Sequence, residues 1–256
     1  LEAEKQAMLA QGLAAKYNGH CASLNEEEVE IRKKRGEASV IRFRVPQVEV
    51  EFHDVIRGKI KFDASLIGDV VIARDVRSPL YSFSVVIDDA AMKISHVIRG
   101  EDLLPTTPSQ ILLQKTFGFE EPRYAHLPLI LGPDGAKLSK RHGATSVEEY
   151  RDMGYLPEAM RNYLLRLCWS HGDDEIISTE QAIEWFDFDG IGKSPARFDF
   201  DKLNFINAHY LKLADNNRLV DLSMDILKLK NHAYSPDTKK YLLADMDELK
   251  SRAKTL

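Results

Sequence analysis

Cysteine is nearly absent. Cys21 and Cys168, the two in 256 residues, are too few and too far apart to form a disulfide framework, so a reducing cytoplasm is the expected compartment. Both thiols are expected to be packed inside, where free cysteine usually sits. No run of about 18 apolar residues could span a bilayer, so no membrane partner is expected. The start, Leu1-Glu2-Ala3-Glu4-Lys5-Gln6, is charged, has no apolar signal region and does not begin with Met, and the chain reads as a piece of a longer protein. There is no internal repeat and no low-complexity segment. Positive charge is not in excess: the net charge of −5 disfavours a protein coated in positive charge for nucleic-acid binding but leaves room for a local basic track. What is present is ordinary for a globular protein, 44% hydrophobic and 29% charged residues. A mass of 29.1 kDa exceeds the usual single domain and predicts two or three packed units.

Glu2 to Lys16 has helix-forming composition. Ser23-Leu24-Asn25-Glu26 has a capping-box pattern that predicts a second helix, stopped by Gly36. Its charges read as a solvated face, with acid-before-base pairs Glu28 to Arg32 and Glu30 to Lys34; the basic end, Arg32 to Arg35, is the alternative contact for RNA phosphate. From Ser39 the period changes to two. Ile41, Phe43 and Val45 share one face and Val48, Val50 and Phe52 another, with Pro46-Gln47 between the two strands. Short β-like runs follow at Val55-Ile56, Lys59 to Phe62 and Val70 to Ala73.

Phe83 to Ile87 reads as a strand ending at Asp88-Asp89, and Ile94 to Ile98 as another ending at Arg99-Gly100-Glu101-Asp102. Thr107 as cap, Pro108 at the first helical position and Gln110 three residues after the cap predict a helix to Phe117, closed by Gly118. The run His126 to Leu131 leads into the turn Gly132-Pro133-Asp134-Gly135. This alternation predicts an α/β fold with a parallel sheet and ligands beyond the strand ends. After His142 the pattern is helical. Ser146 with Glu149, Pro157 before Glu158, and Ser178 with Gln181 mark helix starts, and Gly154 and Gly172 mark stops. Ala159, Tyr163, Leu164, Leu167 and Cys168 recur at core spacing.

The lysine loop after the Pro-Asp-Gly turn carries the chemistry. Lys137 and Lys140 are spaced so that both could reach one polyphosphate, with Ser139 between them and Gly135 and Gly143 allowing the loop to move; by composition alone an exposed surface loop is the commoner case. Three consecutive segments go further. They are His96-Val97-Ile98-Arg99-Gly100-Glu101-Asp102, then His126-Leu127-Pro128-Leu129-Ile130-Leu131-Gly132-Pro133-Asp134-Gly135, then Lys137-Leu138-Ser139-Lys140-Arg141-His142-Gly143-Ala144-Thr145-Ser146-Val147. Together they resemble the signatures of bacterial-type glutamyl-tRNA synthetases, class I aminoacyl-tRNA synthetases. Tyr17 to Cys21, Val40 to Pro46 and Gly154 to Ala159 are similar to the same family, and the resemblance covers about residues 1–215.

The resemblance implies a Rossmann-type catalytic sheet split by an insertion. Residues 1–80 would be an inserted α/β domain that binds the tRNA acceptor stem, and 81–130 the second half of the catalytic domain. Residues 131–215 would be a helical stem-contact fold carrying the lysine loop, and 216–256 the start of an anticodon-binding region. The N-terminal ATP motif and most of the anticodon-binding region would lie outside the chain, and the fragment alone would be inactive. Lys140, Lys137 and Ser139 would be catalytic. Lys137, Leu138, Ser139, Lys140, Arg141, Asp102 and Ile130 would bind ATP, and Tyr81 and Arg99 would bind glutamate, the guanidinium fork suiting a carboxylate held bidentately. The implied partners are tRNA-Glu, L-glutamate and ATP with Mg2+, with no DNA, and a monomer is expected. Ser82, Ser84 and Leu103 depart from the family's usual Asn, Ala and His, which weakens transfer of side-chain roles at those places. Tyr17 and Cys21 match part of a zinc motif found in some relatives, but no Cys-x-Cys accompanies them, so no zinc is expected. Glutaminyl-tRNA synthetase, or a non-catalytic tRNA-binding fragment, is the alternative.

Overall fold

The computed structural model describes residues 6, 10, 17, 19–139, 141 and 146–256. The chain divides into two compact units, residues 1–126 and 127–256. The helix expected from Glu2 to Lys16 lies outside the described residues apart from positions 6 and 10, as do Asn18, Lys140 and residues 142–145.

In the first unit, α1 spans Glu26–Lys34. Its cap is Asn25 rather than Ser23: the Asn25 side chain accepts from Glu28 N at 2.9 Å while Glu28 Oε2 accepts from Asn25 N at 2.9 Å. Acid-base pairs form between Lys33 and Glu30 at 3.0 Å and between Arg32 and Glu37 at 3.8 Å, both exposed. Strands β1 (Ile41–Phe43) and β2 (Glu49–Asp54) fall where the period of two places them, and β3 (Gly58–Asp63) and β4 (Val70–Ala73) on two of the short β-like runs, while the run Val55-Ile56 is the turn between β2 and β3. β1 pairs with β4 antiparallel. β2 and β3 form an antiparallel hairpin in which Val50 faces Phe62 and Phe52 faces Ile60. On its solvent side Lys59 reaches Glu51 at 2.6 Å and Lys61 reaches Glu49 at 3.0 Å, cross-strand pairs that leave the other face to the core.

The expected strand at Phe83–Ile87 is a helix, α2 (Tyr81–Ala91). Phe83, Val86, Ile87 and Ala90 fall at helical spacing, and a short apolar run does not by itself separate the two periods. Ser84 Oγ donates to Leu80 O at 3.1 Å, as a hydroxyl does to the carbonyl four residues back in a helix. Strand β5 (His96–Gly100) follows, then a 3-10 stretch Glu101–Thr106, α3 (Thr107–Phe117) and β6 (Arg123–Leu127). The cap position of α3 belongs to Thr106, and Gly118 closes the helix at φ 69°. The sheet runs β3-β2-β6-β5, with β2 antiparallel to β3 and parallel to β6, so it is mixed rather than purely parallel. Its core contains Val50, Phe52, Ile111, Leu112 and Tyr124, with α3 buried along Thr107 to Gln114.

In the second unit, β7 (Ile130–Leu131) pairs in parallel with β8 (Ala196–Arg197). The run expected as one strand from His126 to Leu131 is broken at Pro128-Leu129. Helices α4 (Val147–Asp152), α5 (Pro157–Cys168), α6 (Thr179–Trp185), α7 (Phe200–Leu213), α8 (Asn216–Leu229) and α9 (Thr238–Arg252) complete it. Ser146 with Glu149 and Ser178 with Gln181 form the expected capping boxes. Leu156, Ala159, Met160 and Tyr163 join Phe198, Leu203, Ile206, Leu211 and Leu219 in one cluster. Leu164 stays 41% exposed, because the buried stripe of α5 runs through Met160 and Tyr163 and turns it outward. Cys21 lies in an exposed turn and Cys168 is only partly covered, contrary to the burial expected of both. Among the described residues no helix is long and apolar enough to cross a membrane.

Candidate active site

The expected site residues fall in both units. In the first, Tyr81 opens α2 and is 55% exposed, Arg99 lies near the end of β5, and Asp102 is exposed in the 3-10 stretch. Gly100 is confined by its neighbour: a Cβ there would meet Asp102 Oδ1 at 2.5 Å.

Arg99 is held by protein acceptors on one edge of its guanidinium. Nε donates to His126 Nε2 at 3.1 Å, and Nη2 donates to Thr107 Oγ1 at 2.8 Å and to Gln110 Oε1 at 2.7 Å. The two residues that look like a helix cap and its partner in the sequence are thus turned onto Arg99. Both hydrogens of Nη2 are used, which leaves Nη1 as the nitrogen without a protein acceptor among the described residues. Gln110 is buried, and its Nε2 has no hydrogen-bond partner among the described residues.

Behind His126 stands Asp54, and both are fully buried. Asp54 Oδ2 lies 2.6 Å from His126 Nδ1 and accepts from His126 N at 3.1 Å. Asp54 Oδ1 accepts from Ile56 N at 3.0 Å and Arg57 N at 2.9 Å, which builds the β2-β3 turn. Burial pushes the Asp54 carboxyl up, but hydrogen bonds from His126, Arg57 and Ile56 outweigh it and the pKa is lowered overall. Arg57 pairs with Glu101 and donates from Nε to His126 O at 3.3 Å. The Arg99 guanidinium carbon lies 5.7 Å from the centre of the Tyr124 ring. Burial pushes the Tyr124 phenol up to about 12. Asp89 is also raised by burial, against the opposing field of Arg99.

Asp54, His126, Thr107 and Gln110 were not among the residues expected at the site. A signal for Asp54 exists: it continues the buried series Val50, Phe52, Asp54 at period two, where a carboxylate needs a partner. His126 was hidden inside a run read as apolar.

In the second unit the lysine loop leaves β7 through a tight turn. Gly132 N donates to Ala136 O at 2.8 Å, and Ala136 N donates to Asp134 Oδ1 at 2.9 Å. Gly135, at φ +77°, takes the left-handed conformation that the turn needs. Leu138 N donates to Ile130 O at 2.8 Å, and the Ile130 and Leu138 side chains pack against the helical core. Lys137 on one side of this anchor is exposed, and Ser139 on the other is half-buried. Arg141 lies 3.3 Å from Asp134. Lys140 lies outside the described residues. No group of three His, Cys, Asp or Glu suited to a metal ion occurs among the described residues.

The family model for class I tRNA synthetases (E and Q), catalytic domain, matches residues 1–205. Glutamate--tRNA ligase 2 of Parvibaculum lavamentivorans is 47% identical over 259 aligned positions, covering 100% of this chain and 52% of the relative. Glutamate--tRNA ligase of Trichlorobacter lovleyi is 46% identical, covering 100% of this chain and 53% of its own length. Two solved structures are similar at 33% identity over 99% of this chain. One is a glutamate tRNA ligase from Elizabethkingia meningosepticum in complex with its amino acid, TM-score 0.80, covered over 55% of its length. The other is glutamate-tRNA synthetase from Elizabethkingia anophelis, TM-score 0.82, covered over 56%. The chain therefore spans about half the length of the relatives it matches.

Proposed function

This chain belongs to the family of class I tRNA synthetases for glutamate and glutamine, and from that premise we propose that an intact protein carrying it activates L-glutamate with ATP and transfers it to tRNA-Glu. Relatives named glutamate--tRNA ligases at 46–47% identity over the whole chain favour glutamate over glutamine. Arg99 is the observation that carries the reading: a half-buried cation fixed on three acceptors with Nη1 left over suits an anionic side chain and not a neutral amide.

In the first step a carboxylate oxygen of glutamate attacks the α-phosphorus of ATP and the bond to pyrophosphate breaks, so negative charge grows on the leaving oxygens. Lys137 and Lys140 are the proposed stabilisers, assisted by Ser139, on a loop whose Leu138 anchor fixes where the flanking positions emerge. Leu138, Arg141, Asp102 and Ile130 are the further proposed nucleotide contacts, and Tyr81 joins Arg99 on the amino acid. In the second step a terminal ribose hydroxyl of tRNA attacks the activated carbonyl and AMP leaves. The assignment of 1–80 to acceptor-stem binding, 81–130 to the catalytic sheet, 131–215 to stem contact and 216–256 to the start of anticodon binding belongs to the same proposal, as do a cytoplasmic location and a monomeric state.

The test is charging of purified tRNA-Glu and tRNA-Gln by the intact protein with labelled glutamate or glutamine. Glutamate on tRNA-Glu is expected; glutamine as the accepted amino acid would replace the reading with its glutaminyl counterpart, and no charging of either would leave the chain a tRNA-binding module.

A further inference from the structure

Arginine Nε can only donate a hydrogen bond, so the His126 Nε2 that faces it at 3.1 Å must present its lone pair. The ring proton is then on Nδ1, directed at the Asp54 carboxylate 2.6 Å away. A neutral imidazole thus stands between a buried anion and a half-buried cation and lets each satisfy the other. Thr107 and Gln110 complete the hold on Nη2. We infer that Asp54 and His126 are positioning residues for amino-acid recognition: the carboxylate fixes the histidine tautomer, and the tautomer fixes the Arg99 guanidinium with Nη1 alone presented to the ligand carboxylate. This rests on the reading of Arg99 as the glutamate-binding cation and goes beyond it, since neither Asp54 nor His126 would touch the substrate.

The inference explains two otherwise separate facts. A carboxylate and a histidine, both fully buried, occupy adjacent strands of a sheet whose core is built around Val50, Phe52 and Tyr124. The Gln110 amide has only one arrangement open to it, because the reverse would point its NH2 at Arg99, and that arrangement leaves its Nε2 without a partner among the described residues.

The test uses the intact protein and three measurements. Nitrogen-15 NMR of labelled histidine reports the His126 tautomer, expected as Nδ1–H; an Nε2–H ring in the unaltered protein would overturn the inference without any variant. Asp54→Asn can offer its NH2 to Nδ1, which would move the ring proton to Nε2 and set donor against donor at Arg99 Nε. Loss of one hydrogen bond to a charged group predicts a rise in KM for L-glutamate of roughly 10–100-fold, while KM for ATP changes less than about twofold. Arg99→Lys separates the two levels. A raised glutamate KM in Arg99→Lys with an unchanged one in a folded Asp54→Asn would keep the reading of Arg99 and discard the positioning role. An unchanged glutamate KM in Arg99→Lys would remove the reading itself and the role with it.

Discussion

Asn207, fully buried on α7, ties three parts of the second unit together. Its Oδ1 accepts from Leu156 N at 2.8 Å at the start of α5, where no side chain caps the helix, and its Nδ2 donates to Lys254 O at 2.6 Å beyond α9. Asn207→Leu keeps the branching of the side chain, with bulkier methyl groups, and removes both bonds. Leu156 is buried, so its N–H would be stranded at about 1–3 kcal/mol; Lys254 is exposed and its carbonyl can turn to water at less than about 1 kcal/mol. Together these predict a loss of roughly 1–4 kcal/mol, or a fall in Tm of about 3–14 °C for a unit of this size. Asn207→Asp sharpens the test. It keeps the acceptor for Leu156 but sets a carboxylate against the Lys254 carbonyl, so its pKa in the folded state must rise above the unfolded value of about 3.9. Stability then improves as pH falls, because the native state binds the extra proton, and at pH 7 the aspartate variant should be at least as damaged as the leucine one. Thermal and urea unfolding followed by circular dichroism at pH 7 and pH 4 measure both. A leucine variant within about 2 °C of the parent, or an aspartate variant that does not recover in acid, would refute the reasoning.

Three further outcomes are expected. Gly154 has φ +92°, and a Cβ there would lie 2.7 Å from the Leu256 backbone, so Gly154→Ala should cost on the order of 1–3 kcal/mol in the urea midpoint, where an exposed glycine-to-alanine change would cost little. Asp54 has a pKa lowered in the folded state, so its stabilisation is complete above about pH 4 and disappears as pH falls through the folded value; Asp54→Asn should flatten the acid limb of the stability profile there. Lys140→Ala in the intact protein should reduce pyrophosphate exchange on the order of 10²–10³-fold, as loss of one transition-state stabiliser does, and an unchanged rate would remove the lysine from the mechanism.

What could be read from the sequence was the local grammar. The period of two at Ile41 to Phe52, the capping boxes at Ser146 and Ser178, and the glycine stop at Gly118 depend on neighbours in the chain, and each appears in the structure. The helix at Tyr81–Ala91 was missed because a short apolar run between Pro79 and Asp88 satisfies both periods, and packing decides between them. The ordered segments around Arg99 and Lys137 pointed to the family. They did not reveal the hold on Arg99, because Asp54, His126 and the pair Thr107 and Gln110 come from three elements that only folding brings together. A lone Thr or Gln at the start of a helix looks like a cap until the structure shows which acceptor it supplies.

ATP–pyrophosphate exchange by the intact protein, run with L-glutamate and separately with L-glutamine in the presence of tRNA, tests the central claim most directly. The account predicts exchange that depends on glutamate and collapses in Arg99→Lys; exchange supported by glutamine instead, or indifferent to Arg99, would contradict it.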